Sequence, residues 1–411
     1  GDLDVTANNT TITGAGPATT TIQQTAPNDR VLEINPFLDA NFTFGISGVT
    51  LNGGKETTAV GGGGIVAGSI NNSTTVTDCV ISGNSASGVG TFGGGGIMVQ
   101  GGSLTITGTT LSNNSSTASG GGLTYTAGDP ILRLPSNGTL SISGSTFSGN
   151  SANSAAAGGG AADLFNFSGS IGTYSVNSSS FSNNAAANGS GGAIIVETGP
   201  LTVTTSSFSG NSAGNRGGAV LSASSVAITY SRLVGNTVPV ATNGLTVFNS
   251  GGVASADNNW WGSNAGPSAN DFRNNAGTVS PASFLELRVV ASPDTICTGG
   301  SSVLTADIKK INSGGILTTE LNGLPTFNAI FNNAVNGTLS GATQFVNGSA
   351  TATYTATGTV AGSADVTADN QTLTANISIT GTTTTDPADQ AVCQGATANF
   401  STTASGGGLF S

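Results

Sequence analysis

The chain has 411 residues, enough for two or three domains; 7% are charged, against roughly 25% in an average soluble protein, and 64 are glycine. A net charge of −11 with nine scattered basic residues argues against nucleic-acid binding, which needs clustered Lys and Arg, and the one adjacent pair is Lys309–Lys310. The absence of histidine excludes Ser-His-Asp and histidine–zinc chemistry, while 36% hydrophobic residues suffice for a core.

No apolar run approaches the roughly 18 residues that cross a bilayer, so no membrane insertion is expected. The chain opens at Gly1 without a methionine or a signal peptide and reads as a processed or incomplete segment. Cys79, Cys297 and Cys393 sit far apart, in no metal-ligand spacing, and suggest no disulfide framework; the oxidation state of Cys297 and Cys393 stays open. Low charge with abundant Ser, Thr, Asn and Gly points to an exported surface protein.

Residues 1–283 contain an internal repeat. An apolar anchor is followed by a small residue, then Gly or Asn, then Asn. The anchors are Ile81, Leu111, Phe147, Phe181, Phe208 and Leu233, and the closing asparagines are Asn84, Asn114, Asn150, Asn184, Asn211 and Asn236. Alternating runs such as Leu104-Thr-Ile106 and Leu201-Thr-Val203 start seven residues before their anchor, and a degenerate copy from Phe44 to Leu51 keeps that step. Glycine clusters and a second apolar run follow, after which the spacing varies, so the anchors recur every 25 to 36 residues.

A fixed strand-to-anchor step with variable loops predicts a coil whose rungs stack in register. Each run puts alternate residues inward, and one rung cannot bury its apolar row alone. The expected fold is all-β: a right-handed parallel β-helix of about nine rungs at roughly 4.8 Å spacing. The asparagines are expected to take left-handed turns and to form a structural ladder between rungs. Trp260 and Trp261, within 257–267, are expected to cap the coil, with a sugar-stacking platform as the rival reading. Cys79 aligns with Thr109, Ser145 and Ser179 and is expected to be buried and inert.

From residue 284 longer alternating runs appear, including Ser302–Ile308, Ala350–Ala356 and Thr372–Ile379, separated by turns such as Asn336-Gly337 and Asn347-Gly348. They predict an immunoglobulin-like β-sandwich over 284–380. After a linker, residues 381–411 begin a second such domain, which is incomplete or pairs with a neighbouring subunit. Val392, Cys393, Ala398 and Phe400 are its candidate assembly strand.

The repeats Gly191-Gly-Ala-Ile194 and Gly217-Gly-Ala-Val220, with the Phe-x-x-Asn anchors at 147, 181 and 208, resemble the passenger domains of chlamydial polymorphic outer-membrane proteins. The opening Gly1-Asp-Leu-Asp-Val-Thr6, Thr11-Ile-Thr-Gly-Ala-Gly16, the Asn-Trp-Trp-Gly segment and the sandwich after it are similar to bacterial CSLREA-type β-helix surface proteins. That resemblance implies a surface, adhesive or structural role without defined chemistry.

Polysaccharide cleavage needs two carboxylates about 5–10 Å apart. Twelve acidic residues lie in 1–283, and Asp78, Asp129, Asp163 and Glu197 read as standing alone at their repeat positions. Asp2 and Asp4 lie at the start, and no acidic cluster is visible beside Arg30, Lys55, Arg133, Arg216, Arg232 or Arg273. The expectation is therefore an extracellular, non-enzymatic structural protein without a cofactor, metal or catalytic residue. It would be a filament subunit or stalk-like adhesin whose partners are copies of itself and host or biofilm glycans. The alternative is carbohydrate binding or cleavage through long loops at 124–139 and 161–173.

Overall fold

The computed structural model describes every residue except 36–40, 58–59, 69–70, 88–92, 130–133, 156–157, 276–280, 314, 317–320 and 381–411. The chain divides into two compact units, Gly1–Glu286 with Lys309–Pro325, and Leu287–Ile308 with Thr326–Ser411.

The first unit is a parallel β-solenoid. One turn shows its plan: Ile97–Gln100, Ser103–Thr107, Thr110–Ser112 and Ser115–Ser116 follow one another, and the next turn restarts at Leu123–Ala127. Each strand pairs in parallel with its counterpart one turn away, which generates four stacks. Stack I has ten strands from Leu3–Val5 to Phe272–Asn274. Stack II has nine from Thr10–Thr13 to Ala254–Ser255. Stack III has eight from Thr21–Gln23 to Arg232–Val234, and stack IV six short ones from Lys55–Glu56 to Ser212–Ala213. The solenoid thus runs for about eight turns rather than nine, because the terminal turns lack some of the four strands.

The seven-residue step reflects this plan. Phe44, Thr74, Leu104, Leu140, Tyr174, Leu201 and Val226 pair in succession along stack II. Leu51 and the six anchors do the same along stack III. All of these side chains are buried, and all but Thr74 belong to one continuous core.

Two corners flank the stack III strands from Val80–Ser82 to Arg232–Val234, and both use a left-handed residue. The first passes through Gly48, Asp78, Gly108, Gly144, Ser178, Thr205, Tyr230 and Asn258, with φ between 45° and 65°. The second uses Gly83, Asn113, Gly149, Asn183, Gly210 and Gly235, with φ between 53° and 69°. The ladder asparagines follow these residues and are not themselves left-handed, which corrects the expectation. The third position of the repeat varies between Gly and Asn because those residues tolerate this conformation best. In the loop that enters stack I, a Cβ on Gly121 would strike the carbonyls of Gly160 and Ser151, so that position has room only for glycine.

Stack I departs from simple alternation. All residues of Ile97–Gln100 and Leu123–Ala127 are buried, and the outward-facing Val66, Met98, Ile195 and Phe248 are as covered as their inward neighbours. The guanidinium of Arg216 lies 4.9 Å from the centre of the Phe248 ring.

The second unit is a β-sandwich of mixed strand direction. One sheet orders Leu285–Ser292, Ser301–Ile311, Ser349–Ala356 and Gly337–Gly341. The other orders Thr295–Cys297, Gln371–Thr380, Gly362–Ala368, Phe327–Val335 and Gln344–Phe345. Its core joins Leu304, Tyr354 and Ala356 of the first sheet to Ile296, Ala364, Ala375, Ile377 and Ile379 of the second. Asn347 and Gly348, at φ 50° and 73°, turn a tight hairpin closed by Val346 N–H to Ser349 O at 2.8 Å. Cys297 is disulfide-bonded, which answers for this residue the question the sequence left open.

Candidate functional site

The repeated polar residues converge on two ladders inside the solenoid. In the first, the Asn84 Nδ2 donates to Asn114 Oδ1 at 3.1 Å, Asn114 to Asn150 at 3.0 Å and Asn150 to Asn184 at 3.0 Å. Asn184 donates to Asn211, and Asn211 to Asn236, each at 2.9 Å. Each Nδ2 also donates to an anchor carbonyl of the preceding turn, as Asn150 does to Leu111 O at 2.9 Å. Each Oδ1 from Asn114 to Asn236 also accepts a backbone N–H, as Asn150 Oδ1 does from Asn114 at 3.1 Å. From Asn114 to Asn211 both amide hydrogens and both oxygen lone pairs are used, so these buried groups have no bonding capacity left over for a ligand.

A second ladder runs beside it. The Cys79 N–H donates to Thr109 Oγ1 at 3.2 Å, and the backbone N–H groups of Thr109, Ser145, Ser179 and Ser206 each donate to the hydroxyl of the next residue in the row at 3.1 Å. Ser231 ends the row on Asn259 Oδ1 at 2.8 Å. The alignment of Cys79 with Thr109, Ser145 and Ser179 was the available signal for it. Cys79 itself is a buried free thiol, and burial pushes its pKa up.

Among the anchors, the rings of Phe147, Phe181 and Phe208 stack with centroids 4.8 Å apart and planes within 12°. Trp260 continues stack III, bridging to Arg232, with its N–H on Ser231 O at 2.8 Å. Trp260 is fully buried and Trp261 is 8% exposed within the solenoid core, so neither ring offers a face on which a sugar could stack.

The acidic residues correct the sequence expectation twice. Register places Asp4 opposite Glu33, and Asp2, Asp4 and Glu33 bring carboxylate oxygens within 4.8 Å of one another. Arg30 lies among them, with Nη1 2.8 Å from Glu33 and 4.0 Å from Asp2 and Nη2 paired to Glu56. The cluster is invisible in sequence because its residues come from two successive turns, up to some fifty residues apart along the chain. Its guanidinium already supplies the counter-charge.

Asp163 and Glu197 also do not stand alone. Asp163 pairs with Ile195 in the next turn of stack I, so Glu197 lies two residues beyond that partner, just past the end of the strand Ile194–Val196. Asp163 is 1% exposed and accepts a hydrogen bond from the Ser119 hydroxyl, while its Oδ1 has no partner. Burial, then the charge of Glu197, hold its pKa well above the carboxylate range, against the lowering effect of Ser119. Desolvation pushes Glu197 in the same direction, although part of that side chain is exposed. Aligning the two glycine clusters and counting two residues further would have found the pair.

Parts of the long loops expected at 124–139 and 161–173 are strand, and 130–133 lie outside the described residues. Leu123–Ala127 and Ala162–Asn166 belong to stack I, and Asn137–Ser143 and Ile171–Asn177 to stack II. The assembly segment with Val392, Cys393, Ala398 and Phe400 lies outside the described residues. Among the described residues no helix is long and apolar enough to cross a membrane.

No protein-family model and no curated protein matches the chain. A solved structure, that of the Yersinia pseudotuberculosis adhesin InvE, is similar at 25% identity and a TM-score of 0.18; the match covers 24% of this chain and 28% of that one.

Proposed function

We propose that the chain is a non-enzymatic extracellular structural module, a subunit of a cell-surface filament or a stalk-like adhesin. The supporting observation is the use of its repeated polar residues. The asparagine and hydroxyl columns are buried and bonded to the next turn, as a load-bearing stack requires and a binding cleft does not. The parallel solenoid followed by a sandwich is also the architecture implied by the likeness to CSLREA-type and polymorphic outer-membrane-protein passengers, in which the sandwich would be immunoglobulin-like. The partners would then be further copies of the chain and, for an adhesin, surface glycans.

Electron microscopy and light scattering on the full chain test this reading. Ordered fibres with a subunit repeat are expected for a filament, and dispersed monomers that bind a glycan array for an adhesin stalk. In the filament case, removing Asp389–Ser411 is expected to abolish assembly. Polysaccharide cleavage that releases reducing ends and is lost in Asp163→Asn would overturn the non-enzymatic assignment.

A further inference from the structure

Stack II presents a surface that the structural role leaves unused. Its inward residues fill the core, and its outward residues form a two-dimensional array. One column runs Thr75, Thr105, Ser141, Ser175 and Thr202 on successive turns; the other runs Thr77, Thr107, Ser143, Asn177 and Thr204 beside it. Ser47 and Thr13 extend the second column at one end and Thr229 at the other, while the first column is interrupted at Gly45 before Thr11. All of these side chains reach the surface. Parallel pairing sets the rows about 4.8 Å apart, and alternation along each strand sets the columns about 6.7 Å apart.

We propose that this outward face of stack II adsorbs to ice. Both spacings are on the scale of the oxygen repeats of crystalline water. Each threonine offers a hydroxyl that can replace a lattice water and a methyl group that water solvates poorly. The hydroxyls of Thr75, Thr105, Ser141 and Thr202 make no hydrogen bond among the described residues, so they are available to solvent. An extended lattice can be matched only by a surface ordered before binding, since ordering many side chains on contact would cancel the gain. The two buried ladders and the parallel strands provide that order.

The composition of the face disfavours the other occupants. None of its nine strands contains a charged residue, whereas stack I carries Asp4, Glu33, Asp163 and Arg273, stack III carries Arg232, and stack IV carries Lys55 and Glu56. A mineral or an anionic polymer would need those charges. A crystalline polysaccharide would favour aromatic side chains, and the outward positions have none; Phe44 and Tyr174 point into the core. A second copy would need an apolar patch at the centre of its contact.

The experiment uses the full chain, fluorescently labelled, in ice-affinity partition and ice-recrystallisation assays. The unmodified chain should enrich in the ice fraction and hold crystals small. The double variant Thr105→Tyr with Thr202→Tyr, which roughens the face, should lose at least tenfold in both assays. Ser151→Tyr, on exposed stack IV, should retain them, with all three proteins giving the same circular dichroism and melting curve. If the tyrosines disturb folding, Thr105→Val with Thr202→Val keeps the shape, removes the hydroxyls and should weaken adsorption. Exclusion of the unmodified chain from ice would overturn the proposal. So would equal activity of a folded stack II variant, equal loss in Ser151→Tyr, or capture by crystalline cellulose with none by ice.

Discussion

At the scale of single residues, the asparagine ladder shows how one side chain can hold three turns together. Asn150 accepts from the backbone and side chain of Asn114 and donates to Leu111 O and Asn184 Oδ1. Asn150→Ala would leave those donors and acceptors buried without partners and is expected to destabilise the solenoid by about 2–4 kcal/mol. Equilibrium urea unfolding measures this, and a loss below about 0.5 kcal/mol would mean that water replaces the amide. The recurrence of these asparagines was legible in the sequence, and so was their place at the end of each anchor segment. Their backbone conformation was not, because an Asn beside a Gly or another Asn does not reveal which of the two makes the turn. The structure assigns that role to Gly83, Asn113, Gly149, Asn183, Gly210 and Gly235.

At the scale of elements, each strand is too short to be stable alone and owes its order to its neighbours in the stack. Phe181 lies between Phe147 and Phe208 with no exposed surface. Phe181→Ala is expected to cost about 3–5 kcal/mol, because rigid turns on both sides cannot close the cavity. Phe181→Leu, which keeps most of the volume, should recover more than half of that by the same measurement. The burial of Asp163 and its electrostatic coupling to Glu197 give stack I a pH dependence of definite sign. Both folded-state pKa values are raised, so the folded protein holds more protons than the unfolded chain above the ordinary carboxylate range. Their stabilising contribution is complete below that range and is lost as pH rises through the folded values. Asp163, being buried, carries the larger part, since the exposed edge of Glu197 is screened by solvent. Asp163→Asn is accordingly expected to raise the melting temperature at neutral pH and to flatten its rise on acidification. A parallel curve displaced downward would show instead that the carboxylate is held by a favourable contact.

For the whole molecule, the sequence by itself determined the class of fold. Two-residue alternation, the constant step of seven and the positions allowed only to Gly or Asn leave few arrangements other than stacked parallel turns. The longer alternating runs after residue 284 likewise announced the sandwich. These signals survive in sequence because they are local: strand, corner and anchor lie within about ten residues of one another, and the same geometry recurs each turn. What only the tertiary structure decided depends on register between turns. It brought Arg30 among Asp2, Glu33 and Glu56, set Glu197 near Asp163, buried both faces of central strands of stack I and aligned the hydroxyls of stack II into an array. Residues that meet across turns are separated by loops of variable length. Their neighbours therefore follow from hydrogen-bond pairing in space and not from any fixed distance along the chain.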